Sequence, residues 1–284
     1  MPELPEVETV RLGLNEATCE MAIADIEVLL TRTIAYPSVE RFQEGLRGAQ
    51  ISTWTRRGKY LLAHLVRSGS NAAHPAGWLG VHLRMTGQLL WLADSVPLSK
   101  HTRVQLWFEQ HQALRFVDQR TFGQMWWISP TEDPNVIMAG MGALGAEPMS
   151  EAFSPAYLAA VVKGRDRPIK NALLDQTLIA GLGNIYVDES LFLGGIHPTR
   201  PCRSLTAREI EKLHGAIVSV IQKALSEGGT TFSDFRQVTG INGNYGSVAW
   251  VYRRAGEPCR VCATPIEKIR MAGRSCHFCP TCQP

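Results

Sequence analysis

The chain has 284 residues, of which 45% are hydrophobic and 19% are charged. This composition excludes a disordered tail protein, a collagen-like repeat and a coiled coil, and the length predicts about two domains with buried cores. No apolar run approaches the ~18 residues of a membrane-spanning helix. The acidic, proline-bearing start lacks the basic and apolar regions of a secretory signal. We therefore expect a soluble, intracellular protein.

Positive charge and cysteine are both concentrated near the C-terminal end. The net charge is +3, but residues 251–284 alone carry six basic and two acidic side chains, so the rest of the chain is slightly acidic. Five of the seven cysteines fall within the last 26 residues. An odd, clustered set of cysteines in a chain without a signal peptide favours a metal site over disulfides.

The first 130 residues predict a helix followed by a β-rich region. A helix is expected over 1–14, because Pro5 is tolerated in a first turn and Glu6 and Glu8 suit the positive end of the helix dipole. Short alternating segments separated by turn residues then predict strands, among them 23–28, 104–109, 114–117 and 124–128. Regularly spaced short strands favour a sandwich or a flattened barrel.

Beyond a predicted linker at 131–150, the hydrophobic periodicity changes to that of helices. Apolar residues repeat at helical spacing in four segments: 156–162, 169–175, 185–192 and 206–227. The last helix is expected to end at Gly228 and Gly229. Residues 229–250 are rich in Gly, Thr, Ser and Asn and predict a loop before the cysteine-rich end.

Two CxxC pairs, Cys259 with Cys262 and Cys279 with Cys282, are separated by 16 residues. Each pair directs two thiolates toward one point, and the spacer is long enough for a β-hairpin. Four thiolates complete a tetrahedral Zn²⁺ and leave no open position, which predicts one structural zinc. Disulfides and iron are the less favoured alternatives, and Cys276 is interpreted as a bystander. The surrounding basic residues favour a phosphate-bearing partner over a merely solvated surface.

Pro2 is a candidate nucleophile once the initiator Met1 is removed. An α-amino group has a pKa of ~7.7–8.0, so part of it is unprotonated at neutral pH. Such an amine can attack an electrophilic sugar carbon and form an iminium, and the neighbouring Glu3 can exchange protons. Without other motifs, a Pro-Glu start is more often an ordinary terminus.

Motifs along nearly the whole chain resemble those of the formamidopyrimidine-DNA glycosylases, which excise oxidised purines. In chain order they are 1–9 (MPELPEVET), 57–61 (RGKYL), 82–87 (HLRMTG), 118–123 (DQRTFG), 181–186 (GLGNIY), 228–231 (GGTT) and the four-cysteine ribbon. Leu4 favours this purine-lesion branch, because the related endonuclease VIII branch usually begins Pro-Glu-Gly-Pro-Glu.

The resemblance implies an α+β fold: an N-terminal β-sandwich with flanking helices, a helical domain with a helix–two-turn–helix, and a terminal zinc-ribbon β-hairpin. The corresponding segments are a catalytic domain at 1–130, a linker at 131–150, a helical domain at 151–248 and the ribbon at 249–284. It also implies a monomeric bacterial enzyme of the cytoplasm and nucleoid that binds double-stranded DNA and no membrane. An organellar location stays open.

The implied activity is that of a bifunctional DNA glycosylase and AP lyase of base-excision repair, acting on 8-oxoguanine and formamidopyrimidines. Pro2 would attack C1′ of the damaged nucleotide, Glu3 would donate a proton that assists sugar-ring opening, and Lys59 would donate a proton during elimination. Successive β- and δ-elimination, the latter linked to Arg274, would leave a gap with 3′- and 5′-phosphates. Without the resemblance, Lys59 belongs to a solvated basic turn.

A base inside a duplex must be flipped out before it can be excised, and the space it leaves must be filled. The resemblance assigns this wedge to Met85, Arg120 and Phe122. Taken alone, the two apolar residues would be core residues and the arginine a surface charge. Two further sets are implied. The DNA-contacting residues are His82, His101, Arg120, Arg165, Lys170 and Asn184, and the acidic residues that support the active site are Glu6 and Glu189.

Three further parts of the sequence carry expectations of their own. Residues 230–245 align with the loop that covers the flipped purine. Thr121 stands where the family often has a second arginine, so one charged phosphate contact is expected to be lost, which reduces the salt slope of binding by ~1. Cys276 replaces a common Thr or Ser, with no clear consequence.

Two other functions stay open. One is a non-catalytic DNA-binding module or damage sensor, which would use the ribbon and helices but leave Pro2, Glu3 and Lys59 without a role. The other, within the family, is a preference for oxidised pyrimidines.

Overall fold

A computed structural model describes residues 1–69, 72–230, 238 and 244–284. The chain divides into two compact units. Unit 1 contains residues 1–143 with Gly228, Gly229, Thr230 and Val238, and unit 2 contains the described residues of 144–227 and 244–284. Within the described part of the chain, no helix combines the length and apolar character that crossing a bilayer requires.

The described residues of unit 1 form two sheets, four α-helices and one short 3-10 helix at Thr31–Thr33. The helices are α1 (Leu4–Thr18), α2 (Val39–Leu46), α3 (Pro134–Ile137) and α4 (Ala139–Gly142). The strands are β1 (Ile23–Val28), β2 (Ile34–Tyr36), β3 (Gln50–Arg57), β4 (Tyr60–Arg67), β5 (His74–His82), β6 (Gly87–Ala93), β7 (Thr102–Phe108), β8 (Gln112–Asp118) and β9 (Gln124–Ile128).

The sheets of unit 1 form the predicted sandwich. One sheet is antiparallel with the order β1-β7-β8-β6, and the other has the order β2-β9-β5-β4-β3, in which only β2 and β9 are parallel. A single core of buried side chains draws on both sheets and on α1, as shown by Leu14, Trp54 and Phe116. Burying one apolar face of each sheet in this way is what the alternating patterns of 23–28 and 104–109 require.

Helix α1 is fixed against the edge strand β3, which places the N-terminal end of the chain. The Asn15 side chain accepts a hydrogen bond from the Trp54 backbone N–H at 2.8 Å and donates one to its carbonyl oxygen at 3.1 Å. The Trp54 indole donates to the Thr18 hydroxyl at 2.9 Å. The helix begins at Leu4 and not at residue 1, because Glu3 and Glu6 form a reciprocal capping box.

Unit 2 contains a second set of helices and the C-terminal hairpin. Its helices are α5 (Pro155–Val162), α6 (Ile169–Leu173), α7 (Asn184–Gly194), α8 (Ala207–Ser226) and α9 (Tyr245–Val248), and its strands are β10 (Glu267–Met271) and β11 (Arg274–Phe278). All four helices predicted from periodicity therefore occur. Helix α8 begins with a Thr206–Glu209 capping box, and α7 ends at Gly195 with a φ of 69°.

The compact units group residues differently from the predicted segments. Residues 134–142, predicted as linker, form α3 and α4 and belong to unit 1, where Met138 and Met141 are buried. A Cβ on Gly80 would lie 2.7 Å from the Met138 sulfur, so this methionine packs directly on strand β5. The hairpin β10–β11, predicted as a separate ribbon, belongs to unit 2 with α7.

Candidate active site and metal centre

The predicted nucleophile lies at the start of α1 in a buried environment. Pro2 is buried, Glu3 is 3% exposed, and the Glu3 backbone N–H donates to the Glu6 carboxylate at 2.8 Å. In this structure the terminal amine is that of Met1, directly before Pro2; burial lowers its pKa, the nearby carboxylates of Glu3 and Glu6 raise it, and the positive charges of Lys59 and Arg120 lower it again. We expect the same surroundings to favour the unprotonated, nucleophilic form of the Pro2 amine once Met1 is removed.

Lys59 lies in the turn between β3 and β4 and is only 6% exposed. Gly58 has a φ of 57°, which permits the tight turn. Arg56 fixes this turn to α1, because its guanidinium bonds the Glu8 carboxylate at 2.9 Å and the Gly58 carbonyl at 3.0 Å. The burial of Lys59 overturns the alternative interpretation as a solvated surface turn. It is the pattern expected for an amine held beside a reacting group.

The three predicted wedge side chains are exposed, and for Met85 and Phe122 this excludes the alternative interpretation as core residues. Met85 is 39% and Phe122 51% exposed, and Arg120 is also exposed. The Arg120 guanidinium carbon lies 4.8 Å from the centroid of the Phe122 ring, a cation–π contact. Large apolar side chains left in solvent at a loop are typical of a binding surface.

One hollow of about 500 Å³ joins the chain terminus to the wedge. It is lined by Met1, Arg32, Arg84, Met85, Thr121, Phe122, Gly123 and Gln124. Positions 1, 85 and 122 are therefore neighbours in space although they are distant in sequence. Arg32 bonds the Thr121 hydroxyl, so a cation is present at the turn where the family often has its second arginine.

The two predicted phosphate-contacting histidines of unit 1 differ in environment. His82 is 7% exposed, and burial lowers its pKa to about 3, so it is neutral at pH 7. Its Nδ1 accepts the Arg84 backbone N–H at 3.0 Å, which leaves the proton on Nε2. His101 is half-buried beside the Arg103 guanidinium, with 3.3 Å between Nδ1 and Nη2. His82 thus offers one neutral N–H and no positive charge.

Lys170 and Asn184 of unit 2 converge on the carbonyl oxygen of Ser275. The Lys170 ammonium and the Asn184 amide each donate to this oxygen at 2.9 Å. The ammonium also donates to the Asp188 carboxylate at 2.6 Å. Lys170 is 0% exposed. In this structure the buried, paired ammonium of Lys170 holds the hairpin, and its predicted contact with DNA stays a prediction.

Arg274 and Arg165 are both exposed in unit 2. Arg274 directly precedes Ser275 and follows a two-residue hairpin turn in which Ala272 and Gly273 have φ values of 44° and 79°. Two positive φ values are the signature of a tight hairpin turn that matches the twist of its strands. The anchoring of Ser275 thus fixes the backbone from which Arg274 projects.

Glu6 and Glu189 are both buried and both hold backbone. Glu6 accepts the N–H of Glu3 and the N–H of Thr230, at 2.8 and 2.7 Å within unit 1. Glu189 accepts the N–H groups of residues 250, 251 and 252 at 2.7–2.9 Å; its burial raises its pKa and these hydrogen bonds lower it. Most of the predicted lesion loop, 231–237 and 239–243, lies outside the described residues.

The four predicted zinc ligands, Cys259, Cys262, Cys279 and Cys282, lie together. Their sulfur atoms are all within 4.8 Å of one another, and two of the pairs are 3.9 and 3.4 Å apart. A tetrahedral zinc with Zn–S bonds of ~2.3 Å has S–S edges of ~3.8 Å, so the set fits this metal. The backbone N–H groups of Val261 and Cys282 each donate to a ligand sulfur at 3.4 Å, as expected around a thiolate centre.

Cys276 is separate from this cluster. It is 0% exposed, and burial raises its pKa to about 12, so it is a neutral thiol. No disulfide occurs among the described residues, in which all seven cysteines are free. The interpretation of Cys276 as a bystander to the metal site agrees with both observations.

Comparison with known proteins decides the family. A model of the formamidopyrimidine-DNA glycosylase N-terminal domain matches residues 1–125, the H2TH domain of the same enzymes matches 144–236, and a zinc finger found in FPG and IleRS matches 256–284. The chain is 57% identical to the formamidopyrimidine-DNA glycosylase of Acaryochloris marina over 100% of its own length and 99% of that protein. The chain belongs to the formamidopyrimidine-DNA glycosylase family.

Other members of the family agree in sequence and structure. The Nostoc punctiforme formamidopyrimidine-DNA glycosylase is 58% identical over 100% of this chain and 96% of that protein. A Lactococcus lactis FPG mutant in complex with Fapy-dG-containing DNA superposes with a TM-score of 0.88 at 35% identity, with 99% of each chain covered. MutM (FPG) from Thermus thermophilus has a TM-score of 0.86 at 36% identity, covering 99% and 98% of the two chains. The family and the fold class predicted from the motifs are confirmed.

Sequence reasoning missed one residue at the site. Asp118 is 1% exposed and bonds the turns that carry all three wedge side chains. It lies inside the quoted motif DQRTFG, where an acidic residue directly after a strand and before a Gly-containing turn is a turn-capping signal.

Proposed function

We propose that this protein is a bifunctional DNA glycosylase and AP lyase of base-excision repair that removes 8-oxoguanine and formamidopyrimidines from double-stranded DNA. The observation that carries the proposal is the hollow of unit 1, which places the N-terminal end of the chain beside both wedge turns. Relatives from Lactococcus lactis have been solved with Fapy-dG-containing DNA and with DNA containing an abasic site.

The reaction begins with the amine of Pro2 once Met1 is removed. The amine nitrogen bonds to C1′ of the damaged nucleotide, and the bond from C1′ to the base breaks as the base leaves. Glu3, buried at the first turn of α1, donates the proton that lets the sugar ring open, so that an iminium forms between Pro2 and C1′. The lowered pKa of the Met1 amine, directly before Pro2, supports this role, because only an unprotonated amine attacks.

Elimination follows from the acidity that the iminium gives to the C2′ proton. Loss of this proton expels the 3′ phosphate ester, and a second elimination releases the 5′ phosphate, leaving a gap with phosphate at both ends. We assign a proton-donating role in these steps to Lys59, which is supported by its burial and by the effect of its charge on the Met1 amine. We assign phosphate contact during the second elimination to Arg274, which projects from the anchored hairpin.

DNA binding requires that the lesion leave the base stack, at a cost of a few kcal/mol. Met85 and Phe122 are the apolar fillers, and Arg120 supplies guanidinium donors for the orphan base. Exposed Arg165, half-buried His101 and Asn184 at the N-terminus of α7 are proposed phosphate contacts. His82 contributes one neutral N–H, and Lys170, Glu6 and Glu189 position backbone.

The zinc ion, when bound by the four cysteines, supplies a structural crosslink and no reactive position. A protein of this activity needs no second subunit for catalysis, and we propose a monomer that acts on the chromosome in the bacterial cytoplasm, at the nucleoid. One Lactococcus lactis relative was solved with DNA containing an oxidised pyrimidine, so oxidised pyrimidines are a second candidate class of substrate.

The test is incision of a duplex that carries one 8-oxoguanine opposite each of the four bases in turn, with a thymine glycol duplex for comparison. We expect cleavage at 8-oxoguanine opposite cytosine and a borohydride-trapped covalent protein–DNA adduct. Pro2→Gly should strongly reduce the adduct, whereas a substitution at exposed Glu16 should not. DNA binding without incision by zinc-loaded protein with a free proline end would instead favour the non-catalytic DNA-binding module.

A further inference from the structure

Asp118 lies at the end of β8 and is 1% exposed. Its Oδ1 accepts hydrogen bonds from the Thr86 hydroxyl and from the Arg120 backbone N–H, the latter at 3.2 Å. Its Oδ2 accepts the Gly123 backbone N–H at 2.7 Å. Thr86 directly follows Met85 and Gly123 directly follows Phe122, so one carboxylate bonds at or next to each of the three wedge residues.

The backbone of Asp118 forms two further hydrogen bonds. Its N–H donates to the His101 carbonyl oxygen at 2.9 Å, and its carbonyl oxygen accepts from the Arg103 guanidinium at 2.8 Å. The Thr86 hydroxyl, which donates to the carboxylate, also accepts the Arg120 N–H at 3.0 Å. The segment before β7, both wedge turns and the end of β8 are thus tied to one residue.

Both wedge turns contain a residue in the left-handed region. Arg84, which precedes Met85, has a φ of 54°, and Thr121, which precedes Phe122, has a φ of 59°. This region is unfavourable for residues other than glycine, most of all for a β-branched one, and such residues persist only where their surroundings determine the backbone. Asp118 bonds the residues two positions after each of them, Thr86 and Gly123.

The turns are also pressed against the core. A Cβ on Gly123 would lie 2.3 Å from the Phe116 ring and 3.1 Å from the Asp118 carboxylate, so only glycine fits there. The Arg84 guanidinium donates to the Gln124 side chain at 3.0 Å and links the two turns directly. These contacts restrict the backbone of both wedge turns. Asp118 supplies the buried carboxylate that bonds to both of them.

We infer that Asp118 is a positioning residue for duplex opening: its carboxylate holds the two strained turns so that Met85, Arg120 and Phe122 project into solvent. The inference rests on the proposed function. Asp118 has no bond to Pro2, Glu3 or Lys59, so its loss should impair extrusion of a stacked lesion more than the chemistry at a sugar that is already accessible.

The experiment compares two substrates with zinc-loaded full-length protein under single-turnover conditions. One is a duplex with 8-oxoguanine opposite cytosine, and the other is a single-stranded oligonucleotide with one abasic site, in which no duplex must be opened. In Asp118→Asn, the amide nitrogen faces the backbone N–H of Gly123 in one orientation and that of Arg120 in the other, so donor meets donor in both. We expect duplex excision to fall about tenfold or more, as the loss of a charged acceptor for buried donors predicts, with single-strand cleavage within about twofold.

A second pair of variants keeps the inference falsifiable if Asp118→Asn folds poorly. Thr86→Val removes the hydroxyl that bridges the carboxylate and Arg120, and Thr86→Ser retains it. We expect the substrate-selective loss in the valine variant only, together with a slower fluorescence rise of 2-aminopurine placed beside the lesion. Equal losses on both substrates, or full duplex activity in Asp118→Asn and Thr86→Val alike, would overturn the inference.

The same experiment distinguishes a failure of the proposed function from a failure of the role assigned to Asp118. If the unaltered protein cleaves neither substrate and forms no borohydride adduct, the enzyme assignment is wrong, and the assignment of Asp118 to duplex opening is overturned with it. If the unaltered protein cleaves both substrates, only the comparison between the variants decides the role of Asp118.

Discussion

Glu6 accepts the backbone N–H of Thr230 at 2.7 Å, so residues 224 positions apart in sequence share one buried carboxylate. The second oxygen of this carboxylate accepts the N–H of Glu3. A Cβ on Gly229 would lie 2.9 Å from the nearer carboxylate oxygen, which shows how closely the backbone approaches. The turn that bears the proposed nucleophile and the backbone at 229–230 therefore have a common anchor.

Glu6→Gln should lower both stability and excision. An amide can accept only one of the two N–H donors well, and leaving a buried donor unpaired costs ~1–3 kcal/mol. We expect urea unfolding to show a loss of this size and single-turnover excision to slow. Glu16→Gln on the exposed side of α1 is the matched control. Equal stability of the two variants would contradict the anchoring role.

The terminal amine should respond to the charge at position 59. Lys59 lowers the pKa of the Met1 amine, and we expect its charge to act in the same way on the Pro2 amine once Met1 is removed. Lys59→Gln should therefore raise the pKa of the nucleophile and move the acid limb of the pH profile of borohydride trapping to higher pH. Lys223→Gln, at an exposed residue of α8, should leave the limb in place. A limb that does not move in Lys59→Gln would show that the lysine charge does not reach the nucleophile.

His82 should make the protein sensitive to acid. Its pKa is about 3 in the folded state, against an ordinary value of ~6.5 in the unfolded state, so the unfolded chain binds the proton first as pH falls. Stability from this residue is therefore present above pH ~6.5 and lost progressively toward pH ~3, by ~2 kcal/mol at pH 5.

His82→Asn keeps an acceptor for the Arg84 N–H and removes the titration. Unfolding in urea at pH 7 and pH 5 should show a smaller loss for this variant than for the unaltered protein. His111→Asn is the control, because that side chain is 91% exposed. An identical pH dependence in all three proteins would refute the assignment to His82.

We expect the buried pair of Lys170 and Asp188 to contribute more to the stability of the β10–β11 hairpin than to the attraction of DNA phosphates. Lys170→Met leaves the Asp188 carboxylate buried without its cation, which costs ~3–5 kcal/mol. Adding Asp188→Asn should recover part of this loss. We expect the ratio of δ- to β-elimination products to fall in the single variant, since Ser275 beside Arg274 loses one of its two side-chain donors. A ratio that stays constant while stability falls would assign Lys170 to folding alone.

Measured zinc content should distinguish the four cysteines of the metal site from Cys276 nearby. Cys279→Ser removes one of four thiolates and should abolish stoichiometric zinc and DNA binding, because the metal joins the two CxxC pairs. Cys276→Ser alters the same hairpin outside the cluster and should retain one zinc per chain. Comparable zinc loss in both would mean that Cys276 belongs to the metal site.

Local patterns in the sequence were sufficient to predict many of the helices and strands and several candidate site residues. The periodic segments of α5 to α8 and the paired CxxC spacing are short-range signals, and the ordered motifs placed Pro2, Glu3 and Lys59. Strands β3 to β5 and helix α2 were not predicted. Residues 60–63 at the start of β4 are all buried, so the alternation that marks a half-buried strand is absent there.

The sequence by itself determined the family, the zinc ligands and the candidate nucleophile, because these depend on residue types at fixed short spacings. Only the tertiary structure decided that Lys170 and Glu189 are buried anchors, that His82 is neutral, and that Asp118 bonds Thr86, Arg120 and Gly123. Each of these properties depends on burial by distant elements or on partners far away in the sequence, up to 105 residues for Lys170 and Ser275. Burial and pairing set the charge and contacts of a side chain, and no local period encodes them.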